Sequence, residues 1–526
     1  MRDFQLPGRS PVFATNGICA TSHPLAASVA VQIMRDGGNA VDAAIAAAVL
    51  LGICEPQSTG IGGDCFVLLK PAGEERVVAL NGSGRAPKGL QAGEMRARGL
   101  VSVPLGSPEA VTIPGAVDAF CRLSEDWGKL GLAASLAPAI HYAKAGVPVT
   151  PRTAFDWQTS QKYLSGAARE FYLVNDKPYN IGDVYRHPRQ SEVLERIARE
   201  GRAGFYEGEV AEDMVRSLNE LGGSHTLQDF SDTACDYSDP ISGDYKGTEL
   251  IEHPPNGQGA TAILLANILS HFDIAAMEPF GAQRAHIEAE ATKLAYDARD
   301  RFIADPDHTL RLEHMISADT AAQLAALIDP KKAMTDPRKA SGAVHKDTVY
   351  LTVVDKDRMA VSLIYSIYKS FGSGIASSKF GVLFQNRGAG FTLEEGHVNE
   401  AGGGKRPMHT IIPGMLRQNG KIVMPFGVMG GAYQPVGHTR FLSNSVDFGM
   451  PPQQAIDAPR VFSKSGELRV ERGYSKTAMQ ELSDLGHNVV VPAKPLGGAQ
   501  AILIDHERGV LQAGSDPRKD GAAVGY

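Results

Sequence analysis

The sequence predicts an α+β fold built as one unit. Helical periodicity dominates up to about residue 303. A polar stretch with Pro330 and Pro337 follows at 330–347, and from 348 the chain turns strand-rich to its end. No internal repeat or low-complexity tract divides the 526 residues, so the two regions read as one body rather than as beads on a string.

Taken in order, PLAASVAVQIMRD reads as an amphipathic helix halted by Gly37-Gly38. Asn39 then caps an alanine-rich helix, NAVDAAIAAAVLLGI, suited to tight burial. QSTGIGGDCF (57–66) is a glycine-rich turn into the strand FVLLK, and RVVAL (76–80) is a second strand. Residues 110–300 read as largely helical, with clear periodicity at 191–200, 208–223 and 285–303. Beyond the polar stretch, TVYLTVVD (348–355) and MAVSLIYS (359–366) form a hairpin rich in β-branched and aromatic residues. GVLFQN (381–386), TIIPGML (410–416) and IVMPFGV (422–428) extend the sheet. Helices around 434–448 and 476–486 follow, and AILID (501–505) and VLQAGS (510–515) close the chain.

Composition narrows the function classes. Hydrophobic content of 43% and charged content of 21% are those of a globular protein, and the net charge of −7 with no basic run excludes a nucleic-acid footprint. Five widely spaced cysteines without a CxxC pair give neither a disulfide framework nor a zinc site, and read as buried free thiols. The start, MRDFQLPGRSPVF, lacks the apolar core of a secretory leader. The longest apolar run, Ala43 to Cys54, is too short to span a bilayer. These features predict a cytoplasmic protein with no membrane or nucleic-acid partner. HExxH, P-loop and GxSxG motifs are absent, and Gly60-Ile61-Gly62-Gly63 fails the dinucleotide fingerprint, so no metal or cofactor is implied.

Thr348 stands where the polar stretch meets the first strand of the C-terminal sheet. A threonine that opens a strand is, by itself, an ordinary structural residue. Its neighbourhood says more. Residues 23–69, DTVYLTVVDKDRMAVSLIYSIYKSFGSGI (347–375), KRPMHTIIP (405–413), GVMGGAYQP (427–435) and SDPRKDGAAVGY (515–526) resemble, in order, the signature segments of the γ-glutamyltransferase family. That resemblance implies a four-layer αββα sandwich of the N-terminal-nucleophile hydrolase type. It further implies a proenzyme cut between Asp347 and Thr348 into a large chain, 1–347, and a small chain, 348–526, which the family often assembles into heterodimers and sometimes pairs into dimers of heterodimers. Cleavage would free the Thr348 α-amine, whose ordinary pKa of about 7.7–8.0 suits a general base near neutral pH. By the same resemblance Ser366 takes the place of a threonine bonded to the nucleophile hydroxyl, and Gly430 and Gly431 match the pair whose N–H groups form the oxyanion hole.

The chain departs from the family pattern where a γ-glutamyl group would be held. Ser83 stands at an arginine position, with Arg85 two residues on, and Tyr368 replaces an asparagine. Arg387 and Gly390 replace an acidic pair, and His409 and Thr410 replace two serines. A substrate ammonium without its carboxylate partner is costly to bury. The departures therefore predict poor recognition of γ-glutamyl groups and resemble the branch that holds oxamate amidohydrolases and cephalosporin acylase-like proteins. Arg85, Tyr368, Arg387, His409 and Thr410 become candidates for holding a small acid amide, since arginine suits bidentate carboxylate binding. Two other readings remain: a glutathione hydrolase with relocated specificity residues, and a processed, inactive homologue acting as a binding protein.

Overall fold

The computed structural model describes Gln5, residues 8–334 and residues 348–526. Asp347 and the segment 335–347 lie outside the described residues. Two seven-stranded sheets stack face to face with helices on both outer sides, which is the expected four-layer αββα arrangement. In strand order, one sheet runs Ala522–Gly525, Ile18–Thr21, Val349–Val354, Ala360–Ser366, Asp64–Lys70, Val78–Gly82, Asp236–Ser238. The other runs Val12–Ala14, Val510–Ser515, Gly498–Asp505, Lys421–Met429, Gly414–Gln418, Thr248–Glu252, Ile241–Tyr245.

The period-2 pattern of the hairpin decides which side chains face which layer. Val349, Leu351 and Val353 join the cluster built on the helices Pro24–Arg35 and Ala40–Cys54, together with Val361, Leu363 and Tyr365. The alternate residues Tyr350, Val354 and Ile364 turn inward between the sheets, where they meet Met429, Met415 and Ile422. Every residue of Ala40–Cys54 is buried, as its alanine content allows. Its start is fixed twice: the Asn39 side chain accepts from the Val41 and Asp42 N–H groups, and Asp355, in the hairpin turn, accepts from Ala40 N–H at 2.9 Å. The hairpin that follows Thr348 and the alanine-rich helix are thus tied end to end.

The structure corrects three local expectations. GVLFQN makes no ladder; it wraps as a loop in which Phe384 O accepts from Ser373 N–H and Leu383 forms only an isolated bridge with Ala376. The region 110–300 is not helical throughout: it supplies Asp236–Ser238, Ile241–Tyr245 and Thr248–Glu252. The short strands Val12–Ala14 and Ile18–Thr21 and the hairpin Val461–Lys464/Glu467–Val470 were not foreseen. Among the described residues no helix is long and apolar enough to cross a membrane.

Candidate active site

The strand register places the site. In the hairpin Val349 pairs with Tyr365, so Thr348 falls opposite Ser366, and Ser366 in turn pairs with Asp64 on the next strand. Thr348, Ser366 and Asp64 therefore form a row at one end of the sheet, all on the face turned to the second sheet. Thr348 Oγ1 lies 3.2 Å from Ser366 Oγ, and both residues are buried. Ser366 Oγ also accepts the Tyr368 N–H at 2.9 Å, which fixes the hydroxyl between nucleophile candidate and backbone. Tyr368 holds φ at 77°, a conformation that costs a non-glycine residue about 1–3 kcal/mol and that the surrounding contacts sustain.

The glycine-rich turn serves this row by close approach. A Cβ on Gly63 would stand 2.4 Å from Ser366 O, and one on Gly62 would stand 2.1 Å from Leu383 O. Both obstacles are backbone atoms, so the strand itself must shift. Gly63→Ala is expected to destabilise the protein by about 2 kcal/mol or more and to lower activity with it; an unchanged melting temperature would show that Ser366 is not held by this contact.

Facing Thr348, the strand Lys421–Met429 runs into Gly430 and Gly431, with φ of 122° and 57°, and then into the helical segment 431–446. Thr348 and Gly430 line one pocket with Met429, Tyr433 and Phe462. The carbonyls of this turn are drawn away from it. Gly430 O accepts from Tyr433 N–H at 3.1 Å, Gly431 O accepts from Gln258 Nε2 at 2.9 Å, and Ala432 O accepts from the Tyr296 hydroxyl. Because each peptide is planar and trans, the Gly430 and Gly431 carbonyls held this way turn the N–H groups of the next residues, Gly431 and Ala432, to the opposite side, while the Tyr433 N–H is already taken by Gly430 O; the helix that follows adds positive potential at its start. This strand–glycine–helix turn sets backbone beside Thr348 in one pocket.

Gln258 was not foreseen. Its Nε2 also donates to Thr410 O at 2.7 Å, while its Oε1 accepts from Arg299 Nη1 at 3.1 Å. One buried amide thus holds both the glycine turn and the Thr410 segment. Nothing in a lone glutamine between Gly257 and Gly259 signals this from the sequence. As a positioning residue, Gln258→Ala should lower kcat by about 10–100-fold while KM moves less than about threefold. An equal rise in KM would place Gln258 in substrate binding instead.

Beyond Ser366 and Tyr368 sits Arg387, wholly buried in the turn Arg387–Gly390. Its Cζ lies 4.1 Å from the Tyr368 ring centroid and its Nη1 donates to Thr410 Oγ1 at 2.8 Å. Nε is 4.0 Å from Asp64 Oδ2, and neither Nε nor Nη2 has a hydrogen-bond partner among the described residues. Asp64 is otherwise engaged: Oδ1 accepts from Gly84 N–H (2.9 Å) and Gln385 Nε2 (2.8 Å), and Oδ2 pairs with His409 Nε2 at 2.9 Å. His409 Nδ1 accepts from Ile411 N–H, so the ring proton sits on Nε2 and points at Asp64. Burial pushes the Asp64 carboxyl up to about 6, with Arg387 the leading opposing influence. Burial likewise pulls Arg387 down to about 10, which leaves it charged at neutral pH.

The structure therefore gathers Thr348, Ser366, Tyr368, Arg387, His409 and Thr410, with His409 turned toward Asp64 rather than presenting a free donor. It does not bring Arg85 to them. That side chain is 44% exposed, and its Nη1 is committed to Asp305 Oδ2 (3.3 Å) and Gly404 O (3.1 Å). Ser83 is buried, its Oγ accepting from Asn256 Nδ2. Elsewhere His286, Glu290 and His487 bring ligand atoms within 4.8 Å of one another. Those atoms are already paired: His286 Nδ1 with His487 Nε2 at 2.8 Å, and Glu290 with Lys293 Nζ and Met334 N–H. A cation there would have to displace the Lys293 ammonium.

Comparison with known proteins follows the same lines. The sequence model of the gamma-glutamyltranspeptidase family matches residues 26–526. The chain is 36% identical to the glutathione hydrolase-like YwrD proenzyme of Bacillus subtilis, over 98% of this chain and 99% of that one. It is 33% identical, with the same coverage, to the oxamate amidohydrolase proenzyme of Klebsiella pneumoniae. The crystal structure of a cephalosporin acylase from Bacillus halodurans superposes with a TM-score of 0.93 at 36% identity, covering 100% of this chain and 99% of that one.

Proposed function

We propose that this chain, which belongs to the gamma-glutamyltranspeptidase family of hydrolases, is a self-processing amidohydrolase that uses Thr348 as an N-terminal nucleophile on amides of small acids. The precursor cuts itself between Asp347 and Thr348 into chains 1–347 and 348–526. The relatives are themselves named as proenzymes, which supports this step. In turnover, the freed α-amine takes the Thr348 hydroxyl proton as Oγ1 attacks the amide carbon. The N–H groups of the Gly430-Gly431 turn stabilise the oxyanion. The proton passes to the leaving amine, the C–N bond breaks, and water then releases the acid from the Thr348 ester.

The observation that carries the substrate class is Arg387. This buried guanidinium, 4.1 Å from the Tyr368 ring centroid, has two donor nitrogens without a hydrogen-bond partner among the described residues, and Asp64, 4.0 Å away, is already shared with Gly84, Gln385 and His409, so the arrangement favours a second anion. The acyl half of the substrate supplies that anion. Oxamate, on which a relative at 33% identity is named to act, is a candidate of the right chemistry. A glutathione-hydrolase activity is the second reading, favoured by the name of the relative at 36%. Against it stand Ser83 and Gly390, where the family resemblance calls for an arginine and an acid to grip the γ-glutamyl group. An inactive binding homologue sits poorly with the paired hydroxyls of Thr348 and Ser366.

Intact-mass measurement of the purified protein, followed by turnover of oxamate, succinamate, glutaramate and a γ-glutamyl anilide, tests these readings. Two chains beginning at Met1 and Thr348 and faster turnover of the acid amides are expected. An uncut chain, or a preference for the γ-glutamyl anilide, would overturn the proposal.

A further inference from the structure

The strand that carries the glycine turn loses a neighbour just before it reaches the site. In the register between Gly414–Gln418 and Lys421–Met429 the last pair is Gly414 with Phe426. Extending that register would set Ile412 opposite Val428. Pro413 intervenes with no N–H to give, and among the described residues no ladder joins the two. Each N–H goes instead to a side chain of the helix Gln434–Val446. Ile412 N–H donates to Gln434 Oε1 at 2.9 Å, and Val428 N–H donates to His438 Nε2 at 3.2 Å. Gln434 and His438 are four residues apart, so one face of the helix supplies both acceptors. The two side chains divide the sheet. Beyond them one chain runs on to Gly430, in the Thr348 pocket, and the other leads back to Thr410, which holds Arg387.

The imidazole is fitted to this place. Gly414 leaves room for it: a Cβ there would stand 3.1 Å from His438 Nδ1 and Cε1. Glu252, which pairs with Gly414 from the next strand, sets Oε1 2.6 Å from His438 Nδ1, and both side chains are fully buried. Because Nε2 accepts an N–H, the neutral ring carries its one proton on Nδ1 and donates it to Glu252. The other tautomer would set an Nε2 proton against the Val428 N–H and leave that donor unsatisfied in the core. Glu252 therefore selects the ring form that accepts from Val428.

We infer that His438, oriented by Glu252, is a positioning residue for the reaction at Thr348: by taking the Val428 N–H it keeps the strand from closing on the 410–412 segment and so sets where Gly430 stands. The inference deepens the function proposed above. It rests on Thr348 as the nucleophile and on the Gly430-Gly431 turn as the support of its oxyanion.

Three measurements test it. Nitrogen NMR of the wild-type histidine side chains, with His438 assigned by its loss in His438→Gln, should place the proton on Nδ1; a proton on Nε2 would overturn the inference. In kinetics, His438→Leu should lower kcat per titrated Thr348 by about 10–100-fold while KM stays within about threefold. His438→Gln, whose amide oxygen can take the Val428 N–H, should recover most of that loss. Counting only the Thr348 sites that acylate removes the contribution of misfolded protein, which is all that a merely structural residue would change. An unchanged kcat in His438→Leu, a loss confined to KM, or a loss that Gln leaves in place would each overturn the inference. An uncut or inactive wild type would remove the Thr348 reading but not the placement of the turn, which a crystal structure of His438→Leu reads directly. Gly430 is expected to shift by about 1 Å or more, the scale of misplacement that costs a reaction its alignment; an unmoved turn would overturn the inference.

Discussion

Thr348→Ala is expected to yield one uncut chain of 526 residues with no measurable amide hydrolysis, a loss of at least about 10⁴-fold. The reason is that one hydroxyl carries two reactions. In the proposed mechanism it attacks the preceding peptide bond in the precursor, and only then does its own α-amine become available as the base. The substitution removes one hydroxyl and one methyl from a buried strand end, and Ser366 retains its bond from Tyr368 N–H, so the fold should persist. Thr348→Ser keeps the oxygen and should still cut, more slowly. Mass spectrometry reads the first effect and a progress curve the second. If the alanine protein were recovered as two chains starting at Met1 and residue 348, another group would be performing the cut.

The second large effect is at Arg387. Arg387→Met should lower kcat/KM for acid amides by about 10²–10³-fold while leaving a neutral amide within a few-fold, because the guanidinium meets only the anion. Lys should rescue poorly, since it cannot lie flat on Tyr368 and reach Thr410 Oγ1 together. A second readout separates charge from packing. Arg387 is the leading influence that holds the buried Asp64 carboxyl down, so without it Asp64 titrates above its wild-type value of about 6. A carboxyl whose pKa is raised in the folded state holds its proton more tightly there than in the unfolded chain. Stability then falls as pH rises from the unfolded pKa through the folded one. The melting temperature of Arg387→Met should therefore drop more steeply than that of wild type between roughly pH 4 and 7. Parallel curves would show that the two groups are not coupled.

Local pattern carried the sequence reading where the pattern itself does the physical work. The β-branched alternation of 349–366 shows a hairpin, and the spacing of Thr348 and Ser366 follows from its register. What local pattern cannot show is which strand lies alongside. Asp64 reaches Ser366 only because Asp64–Lys70 pairs with Ala360–Ser366 across nearly three hundred residues of chain. The same blindness applies to Arg85, whose partner Asp305 lies far along the chain, and to Gln258, whose role exists only once the Gly431 and Thr410 carbonyls converge on it. GVLFQN misled because an apolar run reads alike whether it pairs in a ladder or packs as a buried loop.

The order of strands has a consequence for what a break in the backbone before Thr348 does. In one sheet Val349–Val354 and Ala360–Ser366 are flanked by Ile18–Thr21 and Asp64–Lys70; in the other, Val12–Ala14 and Thr248–Glu252 flank the strands from the C-terminal third. The two pieces are woven through both sheets, so a cut before Thr348 would sever no ladder among the described residues. Each piece keeps a partial sheet, four neighbouring strands from Gly414–Gln418 to Val510–Ser515 in the second and three from Asp64–Lys70 to Asp236–Ser238 in the first, but neither completes a sheet alone. Expressed separately, 1–347 and 348–526 would each expose the unpaired flanks of the other and aggregate, whereas cut after folding they would come apart only by global unfolding. Such a break would therefore have chemical but almost no mechanical meaning: it would create an amine while the strand order stayed as it is.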